Sequence, residues 1–161
     1  MTDTMTAEQR HYCMSQIRGK NTSPEIIVRK YLHSKGFRYS LHSKHLPGSP
    51  DITLTKYHTV IFVNGCFWHG HPGCRHTRPP KTRKAYWSEK IRRNKERDAA
   101  VVGLLEEAGW CVLIVWECSL KKSFRDATLS ELERRLRQRL EPEHISRIPP
   151  SVRKMANAEE G

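Results

Sequence analysis

The sequence predicts an α/β domain, in which apolar strands form a buried sheet and amphipathic helices cover it. Residues 59–63 and 110–116 are continuous β-branched and aromatic runs of the kind that a sheet buries on both faces. Three further segments repeat apolar residues at steps of three and four, which is typical of helices that lie on a core. A chain of 161 residues can bury one such core and is expected to form a single folded domain.

The chain is strongly basic, with 29 Lys and Arg residues against 17 Asp and Glu residues and a formal net charge of +12. The basic residues extend from Arg10 to Lys154 instead of forming one tail block, so the charge favours a nucleic-acid partner over simple solubility. No apolar run approaches the roughly 18 residues of a membrane helix, and the polar start of the chain does not resemble a signal peptide. We therefore expect a soluble protein inside the cell, without a membrane partner.

The first helix is predicted to begin after Thr22, which can cap it, with Pro24 in the first turn and Gly36 as its stop. Its apolar stripe is formed by Ile27, Val28, Tyr31 and Leu32. Glu25 occupies the capping-box position, three residues after Thr22. This carboxylate therefore has a complete structural explanation without any catalytic role.

Asp51 stands at the start of a predicted strand. Residues 37–41 predict an earlier strand, and residues 46–50 predict a turn rich in Pro and Gly. Asp51 follows a proline and opens a short strand, which turns at residues 57–58 into the buried strand 59–63. A Pro-Asp pair usually marks only a turn, but here the paired strand brings a Cys- and His-rich segment beside the carboxylate, which favours a functional role.

A long helix is predicted over residues 84–108 and ends at Gly109. Its inward stripe contains Trp87, Ile91, Asn94, Asp98, Val101 or Val102, and Leu105. Burying an unpaired carboxylate is costly, so Asp98 is expected to pair with a cation, a metal or a strong donor. The structural alternative is a salt bridge with Arg97 or another arginine. A basic face pointing away from this stripe is expected from Lys90, Arg93 and Arg97.

The remaining elements are the strand at residues 110–116 and a last helix over residues 126–140. The inward positions of that helix are Leu129, Leu132, Leu136 and Leu140. We expect three regions along the chain: an N-terminal arm at 1–20, the folded domain at 21–141 and a flexible tail at 142–161.

Four residues have the identities and spacing of a structural zinc site: Cys66, His71, Cys74 and Cys118. Three lie in one glycine-punctuated loop, and the fourth lies just past a strand end, where it would tie the loop to the sheet. Five cysteines without an export signal favour thiols used as ligands or core residues over disulfides. The alternatives are His76 in place of His71, or thiols and a solvated histidine that bind no metal.

Leaving His69 outside the zinc set frees an imidazole for chemistry. A histidine exchanges protons near neutral pH, and this one follows the strand next to Asp51. Asp51, His69 and Asp98 therefore predict a site that hydrolyses a phosphodiester, with carboxylates holding Mg²⁺ and His69 activating a water. The structural alternative is a bystander in a histidine-rich loop.

Several motifs together resemble one protein family. They are Pro50-Asp51, the segment 60–71, Trp87-Ser88-Glu89-Lys90-Ile91 with Asn94, Arg97 and Asp98, Gly109-Trp110, and the segment 112–118. In this order the chain resembles the very short patch repair (Vsr) DNA mismatch endonucleases over residues 14–140. The resemblance implies a restriction-endonuclease-like fold, with a central mixed β-sheet flanked by helices.

The resemblance also implies a reaction and its cofactors. The chain is expected to nick double-stranded DNA on the 5′ side of the thymine in a T·G mismatch left by deamination of 5-methylcytosine. Asp51 would be the principal Mg²⁺ ligand, helped by the Val63 backbone carbonyl, with His69 as general base. Glu25 and Asp98 would complete the catalytic site. The structural Zn²⁺ would be held by Cys66, His71, Cys74 and Cys118.

The same resemblance implies a DNA-binding function for exposed aromatic residues. Phe67, Trp68 and Trp87 resemble the family's aromatic wedge, which enters the base stack beside the mismatch, where a wobble pair is easier to unstack. Met14 and Lys90 match positions near the mismatched bases, so residues 1–20 are expected to contact DNA. The resemblance further implies a monomer in the bacterial cytoplasm, at the nucleoid, with mismatch-repair proteins as further partners.

Three positions depart from the family pattern. Asn64 stands where many members carry a histidine, and because asparagine cannot carry a proton we expect lower activity or a weaker pH dependence. Val63 lacks the hydroxyl often found there, but a backbone carbonyl survives the change. One extra residue before Cys74 alters the spacing from His71, which keeps His76 open as the alternative zinc ligand.

Two other functions stay open from the sequence. A restriction-type nuclease of the same fold with another DNA specificity would share the cleavage residues and differ at Met14, Lys90 and the wedge. A non-catalytic, zinc-stabilised DNA-binding module would tolerate the loss of Asp51 and His69.

Overall fold

The computed structural model describes residues 6–9 and 20–140. Between residues 20 and 140 the α-helices and strands are α1 (Ser23–Ser34), β1 (Ser40–Leu41), β2 (Ile52–Leu54), β3 (Thr59–Asn64), α2 (Lys84–Glu107), β4 (Cys111–Trp116) and α3 (Arg125–Gln138). Most of the arm predicted at residues 1–20, namely residues 1–5 and 10–19, falls outside the described residues. Met14 and the tail predicted at 142–161 also lie outside them.

The four strands form one mixed sheet in the order β1-β2-β3-β4. Neighbours β1 and β2, and likewise β2 and β3, run antiparallel, whereas β3 and β4 are parallel with Ile61 opposite Leu113. A parallel pair needs a long crossover connection, and α2 supplies it. The α/β class and the mixed sheet flanked by helices are therefore confirmed.

Both faces of β3 are covered, as expected of a continuous apolar strand. Ile61 and Val63 face the larger core, together with residues of α1 and α3: Val28, Leu32, Leu129, Leu132 and Leu136. Val60 and Phe62 face the opposite side and pack in a second cluster with Leu105 of α2. Because successive strand side chains point to opposite faces, this alternation separates the two cores across the sheet.

The helix ends follow the signals in the sequence. Helix α1 starts directly after Thr22, and α2 ends at Glu107, two residues before Gly109. Gly36 and Gly109 have φ angles of +86° and +89°, which glycine adopts without a Cβ clash, and so each glycine ends its helix. Among the described residues, none of the helices is long and apolar enough to cross a membrane.

Two boundaries differ from the prediction by two residues or more. The strand predicted at 37–41 is reduced to its last two residues, and Phe37 before it is 1% exposed and packs on the Tyr57 ring with centroids 5.1 Å apart. The last helix ends at Gln138, so Leu140 lies beyond it and is 37% exposed instead of facing the core. Tertiary packing decides both ends, and local pattern does not specify them.

Candidate active site and metal-binding cluster

A cleft of about 910 Å³ opens between α1, the end of β3 and α2. It is lined by the carboxylates and polar groups that the sequence singled out for chemistry: Glu25, Asp51, Asn64, His69 and Asp98. Lys20, Lys90 and Arg97 line the same cleft, so cations stand beside the carboxylates. The fold therefore brings together residues that lie up to 73 positions apart, from 25 to 98.

Asp51 lies at the start of β2, where the antiparallel pairing with β3 has ended at Ile52 opposite Ile61. Its Oδ2 accepts a hydrogen bond from the Val63 backbone N–H at 2.8 Å. Burial raises the pKa of Asp51 from 3.8 to about 6, against the lowering effect of that hydrogen bond. A divalent cation would offset the cost of burying this charge, so the site is suited to a metal.

The backbone carbonyl of Val63 points to the edge of β3 on which Asp51 lies. A residue in a strand turns its N–H and C=O toward the same neighbour, and the Val63 N–H is bonded to the Asp51 carboxylate. Carboxylate and backbone carbonyl oxygens are both ligands that hard divalent cations take. The pairing of Asp51 with Val63 therefore fits a Mg²⁺-type ion.

His69 is held by Asp98. The His69 Nδ1 lies 2.6 Å from Asp98 Oδ2, whereas the nearest Arg97 nitrogen is 3.7 Å from the other oxygen of this carboxylate. An ionised carboxylate only accepts, so Nδ1 carries the proton and Nε2 keeps its lone pair. Asp98 thus pairs chiefly with the histidine, and the structural alternative of an arginine salt bridge is secondary.

The loop that carries His69 is fastened to α2 and to its own start. The Asn94 side-chain N–H donates to the Trp68 backbone carbonyl at 2.9 Å, and the His69 backbone N–H donates to the Gly65 carbonyl at 3.2 Å. Asn94 and Asp98 are one helical turn apart on the predicted inward stripe of α2. The two polar members of that stripe therefore serve the same loop.

Glu25 is buried, with 2% of its surface exposed, and its bonds differ from those of the predicted capping box. Its carboxylate accepts from the Asn21 backbone N–H at 3.1 Å and from the Thr22 hydroxyl at 3.2 Å. The Thr22 hydroxyl therefore donates to Glu25 and does not cap a backbone N–H of α1. Arg29, one turn on, donates to the same carboxylate at 2.7 Å.

His42 also belongs to this group, and the sequence offered no signal for it. Ligand atoms of Glu25, His42 and Asp51 all lie within 4.8 Å of one another. His42 stands between a predicted strand and a predicted turn, in the left-handed conformation with φ +47°. Its placement results from chain reversal before β2, which residue spacing does not reveal.

Asn64 is the last residue of β3 and is 8% exposed. It pairs in register with Trp116 of β4 and lines the cleft next to Val63. Its side chain is an amide, which donates and accepts hydrogen bonds but takes up no proton near neutral pH.

Cys66, His71, Cys74 and Cys118 come together with their ligand atoms within 4.8 Å of one another. The His71 Nδ1 is 3.5 Å from Cys66 Sγ and 3.4 Å from Cys118 Sγ. Tetrahedral zinc with the usual bond lengths separates a sulfur from a nitrogen ligand by about 3.6 Å, so the cluster fits a zinc ion. Burial raises the pKa of the Cys66 thiol to about 12, which means that a bound metal must displace this proton.

The choice between His71 and His76 is decided by neighbouring groups. The His71 ring stacks on Trp116 at 4.1 Å with the planes 8° apart, which turns Nδ1 toward the thiols. His76 instead accepts a hydrogen bond at Nε2 from the Lys121 ammonium at 2.9 Å. His71 is therefore the histidine of the cluster.

An aromatic cluster adjoins the cleft through Trp68, which is one of the lining residues. Phe67, Trp68 and Trp87 meet edge to face, with ring centroids 5.2 to 5.9 Å apart. Tyr86, which sequence reasoning missed, packs edge to face on Trp87 at 5.2 Å and is 47% exposed. A tyrosine beside the inward stripe of a helix gives no sign in the sequence that it extends this cluster.

The basic face expected on α2 is divided in two. Arg93 and Arg92 point to solvent and are tied to Glu89, and Arg92 also bonds Glu96, so their charges are largely satisfied within the helix. Lys90 instead lies over the Trp68 and Trp87 rings, at 5.4 and 5.5 Å, and Arg97 lines the cleft. The prediction that Lys90 and Arg97 point away from the Asp98 stripe was therefore wrong.

Comparison with known sequences identifies relatives of the chain. The sequence profile of the family described as DNA mismatch endonuclease Vsr matches residues 2–75. The type II nicking enzyme V.XorIIP of Xanthomonas oryzae pv. oryzae is 49% identical over 142 residues, which cover 88% of this chain and 99% of that protein.

Two further relatives come from other bacteria. The type II nicking enzyme V.NmeAIP of Neisseria meningitidis serogroup A is 47% identical over 121 residues, or 75% of this chain and 86% of that protein. The DNA mismatch endonuclease Vsr of Escherichia coli K12 is 38% identical over 133 residues, or 81% of this chain and 85% of that protein.

Proposed function

The chain belongs to the Vsr family of DNA mismatch endonucleases, and from this premise we propose that it nicks duplex DNA 5′ to the thymine of a T·G mismatch. Family membership makes the protein a DNA endonuclease. The finer proposal, a T·G mismatch left by deaminated 5-methylcytosine, is supported by the Escherichia coli relative, whose name is that of a mismatch endonuclease.

One observation carries the proposal: Asp51 and the His69–Asp98 pair share a cation-lined cleft with Trp68, which belongs to an aromatic cluster. The Asp51 carboxylate can bind a metal ion, His69 can accept a proton, and the aromatic rings can stack on unpaired bases. Lys20, Lys90 and Arg97 add the positive charge that a DNA backbone needs. The mixed sheet, with acidic groups where β2 and β3 separate, also supports a restriction-endonuclease-like fold.

His69 is proposed as the general base. Asp98 holds the Nδ1 proton, so the lone pair of Nε2 accepts a proton from the attacking water, and the imidazolium that forms is stabilised by the same carboxylate. Asp51 and the Val63 carbonyl are proposed to hold Mg²⁺, which when bound would stabilise the negative charge that develops on the phosphate.

Glu25 and Asn64 are proposed to complete the site. Glu25 adds a buried carboxylate within reach of the Asp51 group, although Arg29 neutralises much of its charge. Asn64 can orient a water or a phosphate oxygen through its amide, but it cannot act as a second proton carrier. Between Asn64 and His69, which both line the cleft, the proton acceptor is therefore His69.

The Cys/His cluster is proposed to bind structural Zn²⁺. Cys66 and His71 lie at the two ends of the segment that carries Phe67, Trp68 and His69, and Cys118 follows β4. A metal at this point would join the loop to the sheet and hold the imidazole and the rings in place.

Phe67, Trp68 and Trp87 are proposed to form the wedge that opens the base stack, with Lys90 close to the mismatched pair. Entry of aromatic rings between base pairs requires unstacking, which is easiest at a wobble pair. Met14 is proposed as a second contact to the mismatch and lies outside the described residues. We also propose that the protein acts as a monomer and that mismatch-repair proteins are further partners.

A second candidate follows from the type II nicking enzymes V.XorIIP and V.NmeAIP, which are 49% and 47% identical to the chain. In this case the chain would nick a T·G mismatch only within one restriction-site context, or would act on another DNA lesion. Both candidates use the same cleavage residues, so DNA specificity alone separates them.

The test is a nicking assay on a panel of duplexes with one labelled strand. The panel contains all mismatches in several sequence contexts, matched homoduplexes and single strands, each with Mg²⁺ or EDTA. We expect a single nick 5′ to the thymine of T·G and none in the homoduplex. Equal nicking of matched and mismatched duplexes would overturn mismatch specificity, and nicking confined to one context would favour the second candidate.

A further inference from the structure

Arg29 and His42 form a contact that lies between the Glu25 and Asp51 carboxylates of the cleft. One terminal nitrogen of the Arg29 guanidinium, NH2, donates to Glu25 Oε2 at 2.7 Å and also lies 3.0 Å from His42 Nε2. Its second terminal nitrogen donates to the Asn21 side-chain oxygen at 2.8 Å. Glu25 and Asn21 therefore hold the two terminal nitrogens of the guanidinium. The N–H that faces His42 has a position that these two residues set.

This contact determines the tautomer of His42. A guanidinium has only donors, so His42 Nε2 must accept with its lone pair, and the proton of the neutral ring then sits on Nδ1. Burial lowers the pKa of His42, which agrees with a neutral ring. The Nδ1 atom is 4.0 Å from Asp51 Oδ1, while the other Asp51 oxygen is bonded to the Val63 N–H.

The backbone of His42 is tied to the same residue. Its N–H donates to the Asp51 carbonyl at 3.3 Å, in the left-handed conformation that His, Asn and Asp adopt more readily than most residues. Main chain and ring thus both face Asp51. A gap of 4.0 Å is too long for a hydrogen bond, so in this position the ring N–H attracts the carboxylate as a dipole, and a shift of the carboxylate by about 1 Å would form the bond.

We propose that Arg29 and His42 are positioning residues: Arg29, anchored on Glu25, fixes the His42 tautomer, and the Nδ1–H of His42 orients the Asp51 carboxylate. The proposal rests on the proposed function, in which Asp51 holds the metal. It also gives Glu25 its task, because Glu25 holds the arginine and has no need to bind the ion itself.

The alternative is that His42 is itself a metal ligand, since its ring lies within ligand distance of both carboxylates. For Nδ1 to bind a cation, the proton would have to move to Nε2. Two donors, Nε2–H and the Arg29 N–H, would then face each other at 3.0 Å. Arg29 therefore opposes the ligand role while it remains bonded to Glu25.

The first test is spectroscopic and needs neither metal nor DNA. Ring ¹⁵N signals of His42, assigned by their loss in His42→Asn, report which nitrogen carries the proton. We expect the Nδ1–H tautomer in the full chain and its loss in Arg29→Met. An Nε2–H tautomer in the unaltered protein, or an unchanged tautomer in Arg29→Met, would overturn the proposal.

The second test uses two variants with matched backbone preference, His42→Asn and His42→Asp. Asparagine keeps a donor toward Asp51, whereas aspartate cannot donate and adds a negative charge. We expect His42→Asn to keep the nicking rate within about threefold, and His42→Asp to lose about 10- to 100-fold, the effect of one hydrogen bond to a charged group. The reverse order would assign His42 as a ligand, because aspartate binds divalent cations better than an amide.

Calorimetric titration of Mn²⁺ into the same variants provides a readout apart from activity. Positioning predicts tighter ion binding by His42→Asn than by His42→Asp, and tighter binding by His42→Asp contradicts it. The exposed His45, changed to Asn, is the matched control and should alter neither tautomer, ion binding nor rate. If the unaltered protein does not nick T·G duplexes, the proposed function is wrong. The tautomer experiment still tests the positioning role in that case, because it needs neither metal nor DNA.

Discussion

The imidazole of His69 and the carboxylate of Asp98 are joined by a 2.6 Å contact that links the loop after β3 to the middle of α2. Both side chains are partly exposed to the cleft, at 26% and 29%. The contact sets the proton on Nδ1 and leaves Nε2 as the acceptor. It also explains why a carboxylate stands on the inward stripe of a helix.

Asp98→Asn should therefore reduce nicking by about 100-fold or more, because an amide can donate to Nδ1 and stabilise the wrong tautomer. Binding of mismatched duplex should change little, since Asp98 repels phosphate. Single-turnover nicking and fluorescence anisotropy measure the two effects separately. The control is Glu96→Gln, an exposed carboxylate on the same helix. A nicking rate within a factor of a few of the unaltered protein would remove His69 from the role of base.

Asp51→Asn should abolish nicking and stabilise the metal-free protein. The folded pKa of Asp51, about 6, lies above its ordinary value of 3.8, so between these pH values the folded state binds more protons than the unfolded state. The free energy of unfolding therefore falls as the pH rises through this window and stays lower above it. Removing the charge should raise this free energy by about 3 kcal/mol at pH 8, and leave it nearly unchanged near pH 3.

Urea unfolding of both proteins from pH 3 to pH 8, in EDTA, measures this difference. The control is Asp126→Asn in the first turn of α3, outside the cleft. A stability gain that is the same at every pH would show that the Asp51 charge is not the cause.

Cys118→Ala should lose about one zinc per chain, since three remaining ligands hold the ion less tightly and the closing ligand on the sheet is gone. The expected consequence is a lower thermal midpoint and loss of nicking through a loosened loop. Metal content by atomic emission and thermal unfolding measure both. Cys111→Ala is the control, because Cys111 lies outside the cluster and packs against the core. Full zinc content in the Cys118 variant would exclude this thiol as a ligand.

Tyr86→Ala should weaken unstacking at the mismatch although no motif points to this residue. Tyr86 packs on Trp87 and is almost half exposed. The Arg83 guanidinium lies over the Tyr86 ring, 4.8 Å from its centroid. Loss of one stacked ring should weaken binding of a T·G duplex by about 5- to 100-fold. Fluorescence of 2-aminopurine next to the mismatch reports the unstacking directly.

Tyr86→Phe retains the ring and should behave as the unaltered protein in this assay. Phe124→Ala removes an exposed ring outside the cleft and should also have no effect. An undiminished 2-aminopurine signal in Tyr86→Ala would confine the wedge to Phe67, Trp68 and Trp87.

Much of the fold and part of the site follow from local pattern. Continuous β-branched runs predicted β3 and β4, and helical spacing predicted α1, α2 and α3, because burial of an apolar face is a property of neighbours along the chain. Spacing also indicated Cys66, Cys74 and Cys118 as ligands. The cost of burying a charge predicted that Asp98 has a strong partner, and this partner is His69.

Tertiary structure decided the rest. Stacking on Trp116 selects His71 over His76, the cation–π contacts turn Lys90 toward the rings, and chain reversal before β2 brings His42 between Glu25 and Asp51. Each of these choices depends on groups far apart in sequence, whose separation in space is fixed only when the sheet and helices have packed. Neighbours along the chain predict most of the burial, although Leu140 is an exception, but neighbours across the fold determine what the polar atoms bind.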